Sequence, residues 1–163
     1  HKISFEQYIQ TTYFDRVIKA ANKRFKQISY SQFELIRKED FGKKGQKSLD
    51  LNVMDYHTGK ERSVKTLSGG ESFKAALSLS LGLSDIVQNQ SGGIQIDAMF
   101  IDEGFGSLDS ESLEQALSVL INLSDNNRLI GIISHVETLK EKIEKQIIVS
   151  KTQTGSTLAV KLP

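Results

Sequence analysis

The chain has 163 residues, 38% of them hydrophobic, enough for one domain with its own core. It contains no apolar run long enough to cross a bilayer, and its start has neither the basic front nor the apolar centre of a secretory signal, so no membrane association is expected. The lack of cysteine excludes disulfides and thiolate metal sites and fits a reducing cytoplasm, while His1 in place of Met reads as a piece of a longer protein. The net charge of +1 conceals two unlike halves: residues 1–65 carry 14 basic and 8 acidic side chains, and residues 66–163 carry 7 and 12. A basic front half either attracts a polyanion or forms a solvated helix face and loop.

In chain order, Phe5, Ile9, Tyr13, Val17, Ala21, Phe25 and Ile28 recur every three or four residues, which predicts one apolar helical stripe of about seven turns. Strands are expected over residues 32–37 and 48–56. In the second, Leu49, Leu51 and Val53 alternate with Asp50 and Asn52, the pattern of a half-buried antiparallel strand. His57 to Lys60 reads as a turn. Between the two strands, Gly42 to Ser48 is glycine- and lysine-rich but lacks the spacing of a phosphate-binding loop, and Gly59-Lys60 fails the same test. A helix follows to about residue 88, then a polar loop over 89–95 and an apolar strand over 98–101. A helix at 110–123, a strand at 129–133, a short helix at 137–143, a strand at 146–150 and a last strand at 156–162, after a turn at Gly155, complete the chain. Apolar strands alternating with helices predict an α/β fold: a mostly parallel sheet covered by helices on both faces, with a β-rich flank and a long N-terminal helix.

The chemistry gathers at strand and helix ends. The strand over 98–101 runs into Asp102-Glu103, where open parallel sheets bind ligands. Asp102 there suits a hydrated Mg²⁺ beside phosphates and Glu103 suits a base for water; the plain alternative is two solvated acids. The strand over 129–133 ends in Ser134-His135. Either Ser134 and Glu137 cap the next helix as a capping box, or His135 shares an edge with Asp102 and Glu103. Asp109 either caps the helix beginning at Ser110 or serves the loop Gly106-Ser107-Leu108-Asp109. Ser68 and Glu71 form another capping-box pattern. That pattern leaves Gly69 and Gly70 unexplained, since glycine weakens a helix; without Cβ atoms another backbone or a phosphate can approach, and the exposed N–H groups of the first turn favour an anion.

Together and in this order, these residues resemble the C-terminal half of an ABC-type ATPase head. Leu67-Ser68-Gly69-Gly70-Glu71 looks like the signature motif, residues 98–103 like the Walker B strand, Ser107-Leu108-Asp109 like the D-loop and His135 like the switch histidine. Transport ATPases usually carry Pro-Thr after the Asp-Glu and Gln after the signature glycines; here Gly104-Phe105-Gly106 and Glu71 stand instead. The strings Phe100 to Gly106, Thr66 to Phe73 and Ile132 to His135 are similar to the SbcC family, ATPase subunits of SbcCD nucleases, and the similarity continues through Ala20-Ala21-Asn22 and Leu49-Asp50-Leu51. The resemblance implies residues 1–28 as the end of a coiled-coil helix and 29–163 as the C-terminal ATPase lobe. It implies ATP and Mg²⁺ as cofactors: Asp102 toward the metal, Glu103 and His135 as the catalytic residues, and Ser68, Gly69, Gly70, Glu71 and Asp109 toward nucleotide. It further implies four partners: the N-terminal lobe of the same protein, a second copy of the head, an SbcD-type nuclease subunit and DNA. The Walker A lysine loop is missing from the sequence, so ATP hydrolysis is expected only with the other lobe present. Lys19, Lys23, Lys26, Lys43, Lys44 and Lys47 are the expected DNA contacts. Alternatives in the same resemblance are a structural dimerisation module like those of chromosome-condensing SMC proteins, and a transporter ATPase.

Overall fold

The computed structural model describes residues 4–38, 49–90, 97–124 and 128–162. The proline-free apolar repeat at the start forms α1 (Phe5–Ile28). Only its C-terminal half is covered: Val17, Ala21, Phe25 and Ile28 are buried, whereas Phe5 and Ile9 are 81% and 49% exposed. The stripe is therefore continuous in sequence, but its burial fades toward the N-terminus, where Phe5 and Ile9 stand exposed. Ser31 N–H bonds back to Lys26 O at 2.7 Å, and Tyr30 and Ser31 both take positive φ, which reverses the chain.

That reversal delivers β1 (Phe33–Arg37) against α1, where Asn22 holds both backbone groups of Leu35, at 2.9 and 2.8 Å. β1 pairs antiparallel with β2 (Leu51–Asp55), and β2 with β3 (Lys60–Ser63), with Leu35 opposite Val53 and Asn52 opposite Ser63. β3 is not expected from sequence, which places Lys60 in a turn and assigns no strand to the three residues after it. Lys60-Glu61-Arg62-Ser63 has no apolar alternation to reveal it, and it forms because the turn after Asp55 returns it onto β2. The glycine- and lysine-rich stretch with Lys43, Lys44 and Lys47 lies outside the described residues.

A short 3-10 turn, Val64–Thr66, leads into α2 (Gly69–Gln90). α2 crosses α1 at very close range: a Cβ on Gly82 would stand 2.6 Å from Ala21 N and 2.9 Å from Val17 O. One core fills the space between α1, α2 and the antiparallel sheet around Phe25, Phe33 and Val53. A second lies under α3 (Ser110–Ser124) and includes Leu81, Phe105, Leu117 and Leu139.

α3 connects β4 (Ala98–Asp102) to β5 (Leu129–Ile133), which pair in parallel with Asp102 opposite Ile133. This pair is the parallel part of the fold among the described strands. Its burial alternates along β4, so one face packs on the helices while Phe100 on the other is 69% exposed. Covering on both faces, expected from the apolar strands, is thus seen on one. α4 (Glu137–Lys142) follows, then β6 (Gln146–Thr152) and β7 (Gly155–Lys161) as an exposed antiparallel hairpin. No helix among the described residues is long and apolar enough to cross a membrane.

Candidate active site

The first half of the site is the N-terminus of α2. Ser68 N–H donates to Glu71 Oε2 at 2.7 Å and Glu71 N–H donates to Ser68 Oγ at 3.3 Å, the reciprocal capping box expected from sequence. In this arrangement the Ser68 hydroxyl accepts, so its own O–H stays free to donate elsewhere. Capping and anion contact are compatible at Ser68. The N–H groups of Gly69 and Gly70 belong to the first turn, where no intrahelical acceptor exists.

The two glycines have different reasons. A Cβ on Gly70 would lie 2.8 Å from Ser107 O, so the loop Gly106 to Asp109 presses directly on the helix start. Gly69 has only an ordinary 3.6 Å neighbour there. From sequence, glycines here admit either another backbone or a phosphate, with an anion favoured; for Gly70, close packing of the Ser107 backbone is sufficient by itself. The result is a cleft of about 500 Å³ lined by Ser68, Gly69, Gly70 and Glu71 together with Lys74, Ser107 and Asp109.

Asp109 caps α3 and lines this cleft at once. Its Oδ1 accepts Ser112 N–H and its Oδ2 accepts Ser112 Oγ–H, each at 2.8 Å. Those bonds, chiefly the backbone one, with a smaller contribution from the Lys74 charge, hold its carboxyl below the usual range. Lys74 Nζ reaches Ser112 Oγ at 3.1 Å, tying α2 to α3. Sequence reasoning missed Lys74, although a lysine six residues after Ser68 inside an apolar helical run was a visible signal.

The second half lies at the ends of the parallel strands. Asp102 closes β4 with its side chain exposed, and Glu103 follows at φ +59° with its N–H bonded to Ile133 O at 2.9 Å. That backbone bond ties the end of β4 to the end of β5. It brings the Glu103 carboxylate 3.1–3.2 Å from His135 Nδ1. Of the two readings of His135 open from sequence, the structure has the shared edge with Glu103, and in addition a direct contact between the two. The capping-box alternative for Ser134 does not form: Ser134 Oγ accepts Val136 N–H at 3.2 Å, Val136 is the N-cap of α4, and Glu137 pairs with Lys140.

Gly104, at φ +94°, turns the chain from the second half toward the first, and no side chain fits there because Phe73 of α2 occupies the Cβ position. Phe73 and Phe105 meet edge to face at 4.8 Å between centroids. The expected residues therefore fall into two groups joined by this aromatic contact: Ser68, Gly69, Gly70, Glu71 and Asp109 around the cleft, and Asp102, Glu103 and His135 on the strand edge. Among the described residues no cluster of three or more His, Asp or Glu could hold a metal alone. A single exposed carboxylate, Asp102, fits Mg²⁺ that keeps its waters and takes its remaining oxygens from phosphates.

A family model described as SbcC/RAD50-like, Walker B motif, matches residues 43–122. The chain is similar to the C subunit of nuclease SbcCD from Vibrio cholerae, 52% identical over 158 residues, covering 96% of this chain and 16% of that protein. The corresponding protein of Staphylococcus epidermidis is 46% identical over 156 residues, covering 96% and 15%. The chain thus spans less than a fifth of the length of these curated relatives. Among solved structures it resembles one from work on ATP-driven dimerization and DNA-stimulated activation of SMC ATPases, with TM-score 0.68 and 15% identity over 94% of this chain and 88% of the other. It also resembles the Smc head domain from Pyrococcus furiosus bound to the C-terminal domain of ScpA, with TM-score 0.66 and 17% identity over 94% and 36%. The fold is that of an ATPase head lobe.

Proposed function

Because the chain belongs to the SbcC/RAD50-like family, we propose that it is the C-terminal lobe of an ABC-type head that hydrolyses ATP in a sandwich dimer and so controls DNA-end processing by a partner nuclease. The observation that carries this reading is the contact between Glu103 and His135 on one strand edge, apart from the cleft at the start of α2. Two separate half-sites in one lobe are what a nucleotide shared between two heads requires.

Each residue has a distinct task. Glu103 orients the attacking water and accepts its proton. An ionised carboxylate only accepts, so His135 donates to it from Nδ1. Its Nε2 then offers a proton to a γ-phosphate oxygen only when the ring is doubly protonated. Asp102 would hold Mg²⁺, which supplies charge neutralisation at the phosphates. Ser68 Oγ–H and the Gly69 and Gly70 N–H groups take the γ-phosphate of the nucleotide carried by the partner head, with Glu71 fixing the cap. Asp109 stands at the junction between heads. Phosphoryl transfer depends on such positioning and neutralisation more than on covalent chemistry. The N-terminal lobe supplies the missing phosphate loop, a nuclease subunit of the SbcD type does the cutting, and the protein works in the cytoplasm on DNA.

The test is complementation. This lobe and the N-terminal lobe together hydrolyse ATP, and either alone is nearly inactive. Turnover by this lobe alone would overturn the division of labour; ATP-driven dimerisation without turnover would leave a structural module instead. Ser68→Arg sharpens it: the variant keeps ATP bound to its own head but loses the dimer.

A further inference from the structure

A phosphate arriving at the start of α2 meets a carboxylate. Glu71 lines the same cleft as Ser68, Gly69 and Gly70, and only its Oε2 is engaged in the cap. Its charge opposes any anion held by the neighbouring N–H groups. The answering cation comes from a different element. Arg62 of β3 brings Nη2 to 3.6 Å from Glu71 Oε2. Its Nη1 donates to Thr66 O at 2.9 Å and to Thr66 Oγ1 at 3.0 Å, two residues before Ser68. Its Nε lies 3.6 Å from the buried Asp55, and its guanidinium sits 5.5 Å over the Phe33 ring. Contacts from β1, β2, the 3-10 turn and α2 thus hold one planar cation in place.

We propose that Arg62 is a positioning residue for phosphate capture: it neutralises Glu71 and locks the capping box, so that an incoming anion meets donors without net opposing charge. This rests on the reading of the α2 start as the γ-phosphate site. It makes Glu71 the reason Arg62 is needed. A glutamine at position 71 can still accept the Ser68 N–H through its amide oxygen while carrying no charge, so the requirement for Arg62 should vanish with the carboxylate.

The experiment uses the complete protein with both lobes and measures the ATP concentration for half-maximal head dimerisation, together with KM, kcat and melting temperature. Arg62→Gln is expected to raise the half-maximal ATP concentration and KM on the order of fivefold, the scale of a partly exposed ion pair, with a smaller change in kcat. In a Glu71→Gln background the same Arg62→Gln change is expected to cost less than about twofold. An equal loss in both backgrounds overturns the inference, because Arg62 would then act only through Thr66, Asp55 or Phe33. If Arg62→Gln does not fold, Arg62→Lys carries the same comparison: its loss must shrink in the Glu71→Gln background, and failure to shrink is the overturning result. Parent protein that does not dimerise on ATP overturns the underlying reading, and this inference with it.

Discussion

Glu103 combines a left-handed backbone at φ +59° with a contact to His135 Nδ1 near 3.1 Å. The backbone conformation costs a non-glycine residue on the order of 1–3 kcal/mol, and the bond from its N–H to Ile133 O helps hold it there. Glu103→Gln keeps the shape and removes the base. Turnover should fall at least about a hundredfold while the ATP-bound dimer lives longer, as measured by single-turnover kinetics and light scattering. Loss of ATP-driven dimerisation instead would mean that Glu103 is misassigned. At Gly70 the expectation concerns stability: Gly70→Ala places a methyl 2.8 Å from Ser107 O, and overpacking of this kind costs roughly 1–3 kcal/mol, visible as a lower melting temperature. At this scale the sequence was legible for the Ser68–Glu71 capping box, which forms as its pattern implies, whereas a shared edge for Glu103 and His135 was one of two readings open there. Lys74 was visible as a lysine within an apolar helical run but went unread, and the sequence was silent on Arg62, whose neighbours lie on other elements.

Among the elements, α3 shows a cap tied to charge. Asp109 holds Ser112 through both backbone and side chain, and its carboxyl is held below its ordinary range. A depressed carboxyl contributes stability that is present above its unfolded pKa and is lost as pH falls through the folded one. Asp109→Asn should therefore lose that contribution at neutral pH and flatten the acid side of the stability curve, the gap to the parent closing as pH falls below the usual carboxylate range; acid titration of thermal melting checks this. Asp109→Ala removes the cap and should cost about 1 kcal/mol at neutral pH. Helices and apolar strands were readable from periodicity because burial on one face selects it. β3 was not, since Lys60-Glu61-Arg62-Ser63 pairs through its backbone and carries Arg62 by virtue of position alone. The apolar strands also implied a sheet buried on both faces, yet Phe100 stands exposed. Apolar content records what a strand needs covered; a stretch of chain shows only the covering it contains.

For the molecule as a whole, the basic front half gives the DNA prediction. Lys19 and Lys23 on α1 are exposed, whereas Lys26 pairs with Glu34 at 2.8 Å and is a weaker candidate. Reversing Lys19 and Lys23 in the complete protein should weaken duplex binding for every sequence and reduce the log–log salt slope by about two, near one for each phosphate no longer neutralised. Unchanged binding would place the DNA elsewhere on the protein. The crossing of α1 and α2 has a mechanical meaning. With no room for a side chain between α1 and α2 at Gly82, a displacement of one helix at that crossing would be passed directly to the other. α1 runs 16 residues from that fulcrum back to Phe5, an arm of about 24 Å. A shared tilt of about 10° would carry the far tip about 4 Å, by rigid-rod geometry on that arm. Gly82 thereby makes this close crossing the point through which a tilt of α2 would reach the start of α1.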